Sequence, residues 1–296
     1  MENRTRSAKL MNITAMAAFG TIGYFVAKIP LASEEIAFFR AVIAAVVILA
    51  WQLVRGRKFR LPASRKSLIL LMASGAMIGF NWIFLFEAYR YTTVSCATLS
   101  YYFAPVFVIL VSPVVLGEKL TKKKLCCAVG AVIGMLLVSN VLFLENGENG
   151  LLGIFFGLMA AVLYASVMIL NKFMKGLTGL ETTAAQLGVA AVILLPYTVL
   201  TAAEPFSAVW ASVPAISWVL LAFVGIVHTG VGYLLYFSAM KKLPAQTVAV
   251  LSYIDPVTAI LLSAVILRET MSVPQMVGAA LILGMTWMGG RETQDR

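Results

Sequence analysis

Four ionisable side chains stand inside apolar stretches of this chain: Arg40, Glu87, His228 and Asp255. A charged group in hydrocarbon costs at least about 2.5 kcal/mol on insertion scales, so each needs a reason to be there. Asp255 could bind a proton or a cationic group on a solute, or could cap a broken helix or bond a neighbouring hydroxyl. His228 is the only histidine. Imidazole titrates near neutral pH, so it could relay protons or contact a solute, or it could sit neutral between helices. Arg40 and Glu87 fall at similar depth and could pair. Such a pair would serve as a gate or an anion contact, as a structural ion pair, or as two side chains snorkelling to an interface. Asn81, Trp82, Tyr101, Tyr102 and Tyr253, with Tyr24, Tyr164 and Tyr233, fall at comparable depths. Together they could wall a cavity for an amphipathic organic solute, with ring faces available to a cation, or simply pack between helices.

Other chemistries are not indicated. Cys96, Cys126 and Cys127 fall in no metal-ligand spacing, and adjacent cysteines suit neither a zinc site nor an ordinary disulfide, so they read as packing residues. No phosphate-binding glycine loop, HExxH pair or nucleophile elbow is present. No catalytic residue, metal or cofactor is expected, and nothing supports ATP-driven transport within the chain.

The elements that must hold the deep charges carry an internal repeat. Tyr102 to Glu118 reads YFAPVFVILVSPVVLGE and Tyr253 to Glu269 reads YIDPVTAILLSAVILRE, with nine of 17 positions identical at an offset of 151. Weaker matches pair the segment opening at Arg40 with that opening at Gln186, and the one opening at Met16 with that at Met159. Pro105 and Pro256 lie at matching depth, and each removes a backbone donor and frees a carbonyl one turn back. Two interrupted helices at symmetric midplane positions point to a transport site. Glu118 and Glu269 read as turn residues ahead of Thr121 and Ser272, which look like helix N-caps. The Gly75/Gly79, Gly130/Gly134 and Gly153/Gly157 spacings permit close helix approach.

Composition sets the environment. The chain has 296 residues, of which 61% are hydrophobic and 12% charged, and its mean hydropathy is +0.92. That is far more apolar surface than one soluble core can bury, and the class is a polytopic all-α membrane protein. Ten spans are expected at approximately 9–29, 35–54, 67–88, 94–116, 122–142, 150–171, 180–202, 215–239, 245–267 and 272–290. The N-terminus resembles a signal peptide, but the run from Leu10 to Ile29 is long enough to span and reads as the first helix. The net charge of +10 is no nucleic-acid patch: 19 of the 23 basic residues fall on one side of the spans. Glu34, Glu35, Glu145, Glu148 and Glu204 fall on the other. The asymmetry places both termini in the cytoplasm. Five spans per half force residues 1–145 and 146–296 to enter the membrane in opposite senses, as an inverted pair.

The paired stretches FEAYRYTTVSCATLSYYFAPVFVILVSPVVLGEKLT and FSAMKKLPAQTVAVLSYIDPVTAILLSAVILRETMS resemble the drug/metabolite transporter superfamily, specifically its EamA-type ten-helix members. In both, a proline is followed thirteen positions later by a glutamate, and Arg40 matches an arginine common in the family's second helix. The resemblance covers nearly the whole chain. It implies an inverted-repeat fold, a central cavity and alternating access, often with proton-linked export of amino acids, other metabolites or drugs across the bacterial inner membrane. The expected partners are the lipid bilayer, a small organic solute and coupling protons. The oligomeric state stays open, a monomer being compatible. The mixed deep charges favour an amino acid or amine over a dianion. Efflux of drugs or organic cations, an embedded enzyme acting on lipid, and a channel or scaffold are the alternatives. Scattered acids and a single histidine weigh against the enzyme, and the paired prolines against the channel.

Overall fold

The structure is a computed structural model and describes residues 2–56, 59, 62, 64–139, 150–174, 176–202, 213–266 and 272–291. Among these, every regular element is helical. The first six are α1 (Glu2–Val26), α2 (Ser33–Val54), α3 (Arg65–Tyr91), α4 (Val94–Tyr101), α5 (Ala104–Leu116) and α6 (Lys122–Ser139). They are followed by α7 (Gly150–Phe173), α8 (Gly179–Thr201) and α9 (Ala215–Phe223). A π-helical segment, π1 (Val224–Val231), runs straight into α10 (Gly232–Met240). Finally come α11 (Ala245–Leu251), α12 (Ile254–Ile266) and α13 (Val273–Arg291). Glu145, Glu148, Glu204 and Glu269 lie outside the described residues.

Among the described residues, seven stretches are long and apolar enough to cross a membrane: α2, α3, α4–α5 from Cys96, α7, α8, α9–α10 and α11–α12. The apolar part of α13, Val273–Gly289, is shorter. The helix α6 opens on Lys122, Lys123 and Lys124, and the first turns of α1 are polar. Outward faces are strongly apolar: Val54, Val114, Leu151 and Leu200 are each more than 80% exposed. Such surface is stable against lipid tails and would be an aggregation hazard in water.

Both prolines of the repeat stand just after a break. The helix α4 stops at Tyr101 and α5 restarts at Ala104, with Pro105 in its first turn, where a missing N–H leaves no intrahelical bond unmade. The same happens between α11 and α12 ahead of Pro256.

Glycines bring neighbouring helices into backbone contact. A Cβ on Gly134 of α6 would sit 2.8 Å from the Gly278 carbonyl of α13, and Gly278 reciprocally abuts Gly134. Gly75 and Gly79 seat α3 on α8 through Val189 and Ile193, and Gly153 and Gly157 seat α7 against Thr92 and Ser100. All three spacings therefore serve packing within the chain. Thr121 caps α6 through the Lys124 N–H at 3.2 Å, and Ser272 exchanges bonds with Gln275 at the start of α13.

Candidate functional site

A cavity of about 280 Å3 lies inside the bundle. Its inner wall is at Tyr164 of α7, His228 of π1 and Asp255 at the break that opens α12. From there it runs past Arg40 toward Val26, Ser33, Tyr89 and Thr98, near the ends of α1 and α3 and the starts of α2 and α4. This end bears Glu34 and Glu35 and is the acidic end; the opposite one, bearing Lys122–Lys124, Lys172, Lys241 and Lys242, is the basic end.

The helix break delivers Asp255. Being in the first turn of α12, it is projected from a broken helix, with the hydroxyl of Tyr102 within hydrogen-bonding reach. The backbone carbonyl of Asp255 lies against Gly20, where α1 has no Cβ to hold it off. Arg40 comes from α2 and lays its guanidinium over the Trp82 ring, 4.1 Å from the centroid. Its Nε is buried without an acceptor. No ion pair among the described residues includes Arg40 or Asp255. The cavity thus holds one half-buried cation and one half-buried carboxyl group, neither in an ion pair among the described residues.

His228 reaches the wall through π1. A π turn inserts an extra residue into the helical repeat and is often found at functional sites. Gly225 lets this segment lie close on α2, since a Cβ there would fall 2.8 Å from Ile43. The imidazole Nε2 lies 2.9 Å from the Thr21 hydroxyl, Nδ1 has no partner, and the rings of Phe25 and Phe223 flank it at 5.2 and 5.3 Å.

The aromatic candidates divide. Tyr101, Tyr102, Tyr164, Tyr233 and Trp82 line the cavity. Tyr101 stacks on Tyr164 at 5.6 Å, and the Tyr164 hydroxyl donates to that of Tyr236 at 2.9 Å. Pro105 also lines it. Tyr253 is fully buried in a separate core with Leu99, Met135 and Ile282. Asn81 ties α3 to α7 by donating to the Ala160 carbonyl at 2.6 Å. Glu87 and Arg40 do not pair; Glu87 binds Arg90 at 3.0 Å and accepts from Tyr197 at 2.6 Å, at the bundle's edge. Tyr24 accepts from Lys28 near the end of α1, and Pro256 is buried behind the wall. Gln186, the repeat counterpart of Arg40, sits in a buried amide cluster with Ser74 and Asn171.

Tyr89, Thr98, Thr229 and Ser252 also line the cavity and were not singled out from the sequence. The Gly225, Gly230 and Gly232 cluster beside His228 was the available signal for the last turn of that wall, π1.

The basic end is closed. The Glu118 carboxylate reaches across from the end of α5 and accepts from the N–H of Ala245 at 2.6 Å and of Gln246 at 3.1 Å. The Gln246 amide donates to the Ser112 hydroxyl at 2.8 Å. The Lys172 ammonium donates to the carbonyls of Met240 and Leu243. Lys241 binds the Leu177 carbonyl at 2.7 Å and Thr182 at 2.8 Å, and burial pushes its amine down to about 8. Glu118 therefore caps a helix of the other half of the chain, beyond the local turn expected of it. The reason is chemical: at the matching repeat position Thr93 caps α4 through the Cys96 N–H, whereas Pro244 cannot cap α11.

The sequence pattern of the EamA-like transporter family matches residues 6–140 and again residues 151–288. The chain belongs to the EamA-like transporter family. An uncharacterized transporter of Bacillus subtilis (strain 168), YxxF, is 29% identical over 281 residues, covering 93% of this chain and 87% of its own. Protein PecM of Dickeya dadantii is 27% identical over 72% of this chain and 70% of PecM. The biotin transporter of Salmonella typhimurium is 24% identical over 84% of this chain and 81% of that protein. A solved crystal structure shares the fold, with a TM-score of 0.82 over 98% of this chain and 99% of that one at 19% identity. The EamA-like chain is thus a multi-pass membrane protein of a transporter family, with a central cavity suited to a small solute.

Proposed function

We propose that the protein is a secondary active transporter that exports a small amino acid or amine across the bacterial inner membrane by alternating access, drawing on the proton gradient. One observation carries this reading. Arg40 and Asp255, each without an opposite charge beside it, face a single aromatic-walled cavity that reaches toward one end of the bundle while the other end is latched. A zwitterion would match the two charges, with its carboxylate at Arg40 and its ammonium among Tyr102, Tyr101 and Asp255. The cavity volume lies at the lower end of the range for ligand sites, about 300–1,000 Å3, which favours a solute of few heavy atoms.

The reading takes the fold as ten spans in two inverted five-helix repeats, residues 1–145 and 146–296. The double match of the family pattern and the paired helix breaks support it. The basic end is then cytoplasmic, with both termini. Asp255 and His228 are the protonation candidates, and one charge crossing 100 mV contributes about 2.3 kcal/mol to the drive.

A second reading follows from Arg40 alone. Biotin, which the Salmonella relative is named for, carries a carboxylate and no amine, and a carboxylate-only solute would leave Asp255 to the proton. The test is reconstitution in liposomes with an imposed pH gradient and a panel of amino acids, amines and monocarboxylates. Solute-dependent proton movement with amino acids or amines supports the first reading, and with monocarboxylates alone the second. Solute flux without any proton movement removes the coupling.

A further inference from the structure

A second cavity, of about 230 Å3, opens at the basic end between the last turn of α2 and the first turn of α8, lined by Trp51, Gln52, Arg55 and Leu180. We propose that it holds the phosphodiester headgroup of an anionic phospholipid. This rests on the chain's place in a bilayer and not on which solute it carries.

Gln52 is the deciding residue. It is 4% exposed, lines the cavity, and its amide nitrogen is buried with no acceptor. A buried donor calls for an acceptor, and a phosphate oxygen supplies one. Arg55 is held ready beside it, its guanidinium over the Trp51 ring at 4.6 Å from the centroid and in no ion pair among the described residues. A guanidinium so stacked keeps its donor fork free for a phosphate. Leu180 is in the first turn of α8, a helix of 23 residues. The carboxylate of that turn, Glu181, is engaged in the helix's own capping box, where it accepts from the N–H and hydroxyl of Thr178. Arg65 and Lys66 begin α3, which packs on α8, and add positive charge nearby.

The surroundings select a lipid over a free anion. Trp51 is 51% exposed, and deeper along α2 Val46 is 56%, Val47 38% and Leu49 36% exposed, so an apolar outer wall descends from the cavity. Acyl chains would lie on that wall with the headgroup at the depth where indoles and arginines sit in membrane proteins.

The test reads Trp51 fluorescence in the purified full-length protein. Brominated phosphatidylglycerol and brominated phosphatidylcholine are titrated separately, and the Trp51→Phe protein supplies the background to subtract. Quenching should reach half at about fivefold or more lower mole fraction of phosphatidylglycerol, the factor that about 1 kcal/mol per basic residue at an anionic surface represents. The Arg55→Gln/Gln52→Leu protein should lose that preference while keeping its helical circular dichroism. Equal quenching by the two lipids, or a preference that survives in the double variant, overturns the proposal. Relief of phosphatidylglycerol quenching by millimolar inorganic phosphate overturns the lipid assignment in favour of a free anion.

Discussion

A half-buried arginine stacked on a tryptophan without a carboxylate partner makes a specific demand on the solute. If Arg40 receives the solute's carboxylate, Arg40→Gln removes a charge-assisted bond of about 1.5–3 kcal/mol and raises the transport KM roughly 10- to 100-fold. Arg40→Lys should not restore it, because an ammonium cannot both lie over the Trp82 ring and present a planar fork. An Arg40→Gln protein that elutes as wild type and transports with unchanged KM would remove Arg40 from the site. Asp255→Asn should abolish accumulation driven by a pH gradient and also weaken exchange of labelled solute, because the ammonium loses its carboxylate. Loss of accumulation with exchange at unchanged KM would make Asp255 a proton carrier and remove it as the ammonium's partner. These residues were legible in the sequence because a charge in an apolar run has few innocent explanations. The tyrosines were legible only in part. Tyr102 and Tyr253 occupy the same repeat position, yet one faces the cavity and the other the core, since each follows a helix break whose local turn the residue pattern does not encode. Outside the spans, Lys241 gives a pH signature. Its folded pKa of about 8 lies below the usual lysine value, so the unfolded chain binds more protons between about pH 8 and 10.5. Through this group stability should rise with pH across that window, and Lys241→Met should flatten the rise in melting temperature measured in detergent.

The helical elements were the most readable part of the chain, and their contacts tested particular glycines. The ends of α2, α7, α8 and the α11–α12 rod fall within a few residues of the expected spans, because hydropathy and short basic connections mark them. The segment π1 was not foreseen: its glycines signal a close approach to α2, but an extra residue in the turn has no periodic signature in eight residues. Glycine function at the α6–α13 contact can be measured directly. Gly134→Val drives side-chain atoms into Gly278 and Ile282 and should destabilise by about 1–3 kcal/mol through overpacking. Gly284→Ala, on α13 with nothing within 4 Å of the added Cβ, is the matched control and should hold or raise the melting temperature through better helix propensity. Equal effects from the two substitutions would mean that the tight seam between these helices is not where the chain resists change.

At the scale of the whole molecule, a cavity reaching toward one end and a latch at the other are what one state of the proposed alternating-access cycle requires. Composition made the membrane class readable, but Glu118 shows what a linear sequence hides. Its partners are backbone N–H groups more than 120 positions away, and any residue type could have supplied them. If the halves rock, opening the basic end must break those bonds as the cavity closes. Glu118→Ala then shifts the equilibrium toward the state open at the basic end by about 1.5–3 kcal/mol, roughly 10- to 100-fold in population. Two reporters in a cysteine-free background read it: Ala245→Cys, buried at the latch, and Thr98→Cys, on the cavity wall. With Glu118→Ala, a water-soluble maleimide should label Ala245→Cys faster and Thr98→Cys more slowly. Solute should protect Thr98→Cys in the otherwise unaltered protein. A channel, or simple loosening of the fold, predicts that both sites label faster together, and that outcome would end the alternating-access reading. Opposed changes require that the two ends of the cavity cannot be open at once, which is the property a coupled transporter needs and a pore lacks.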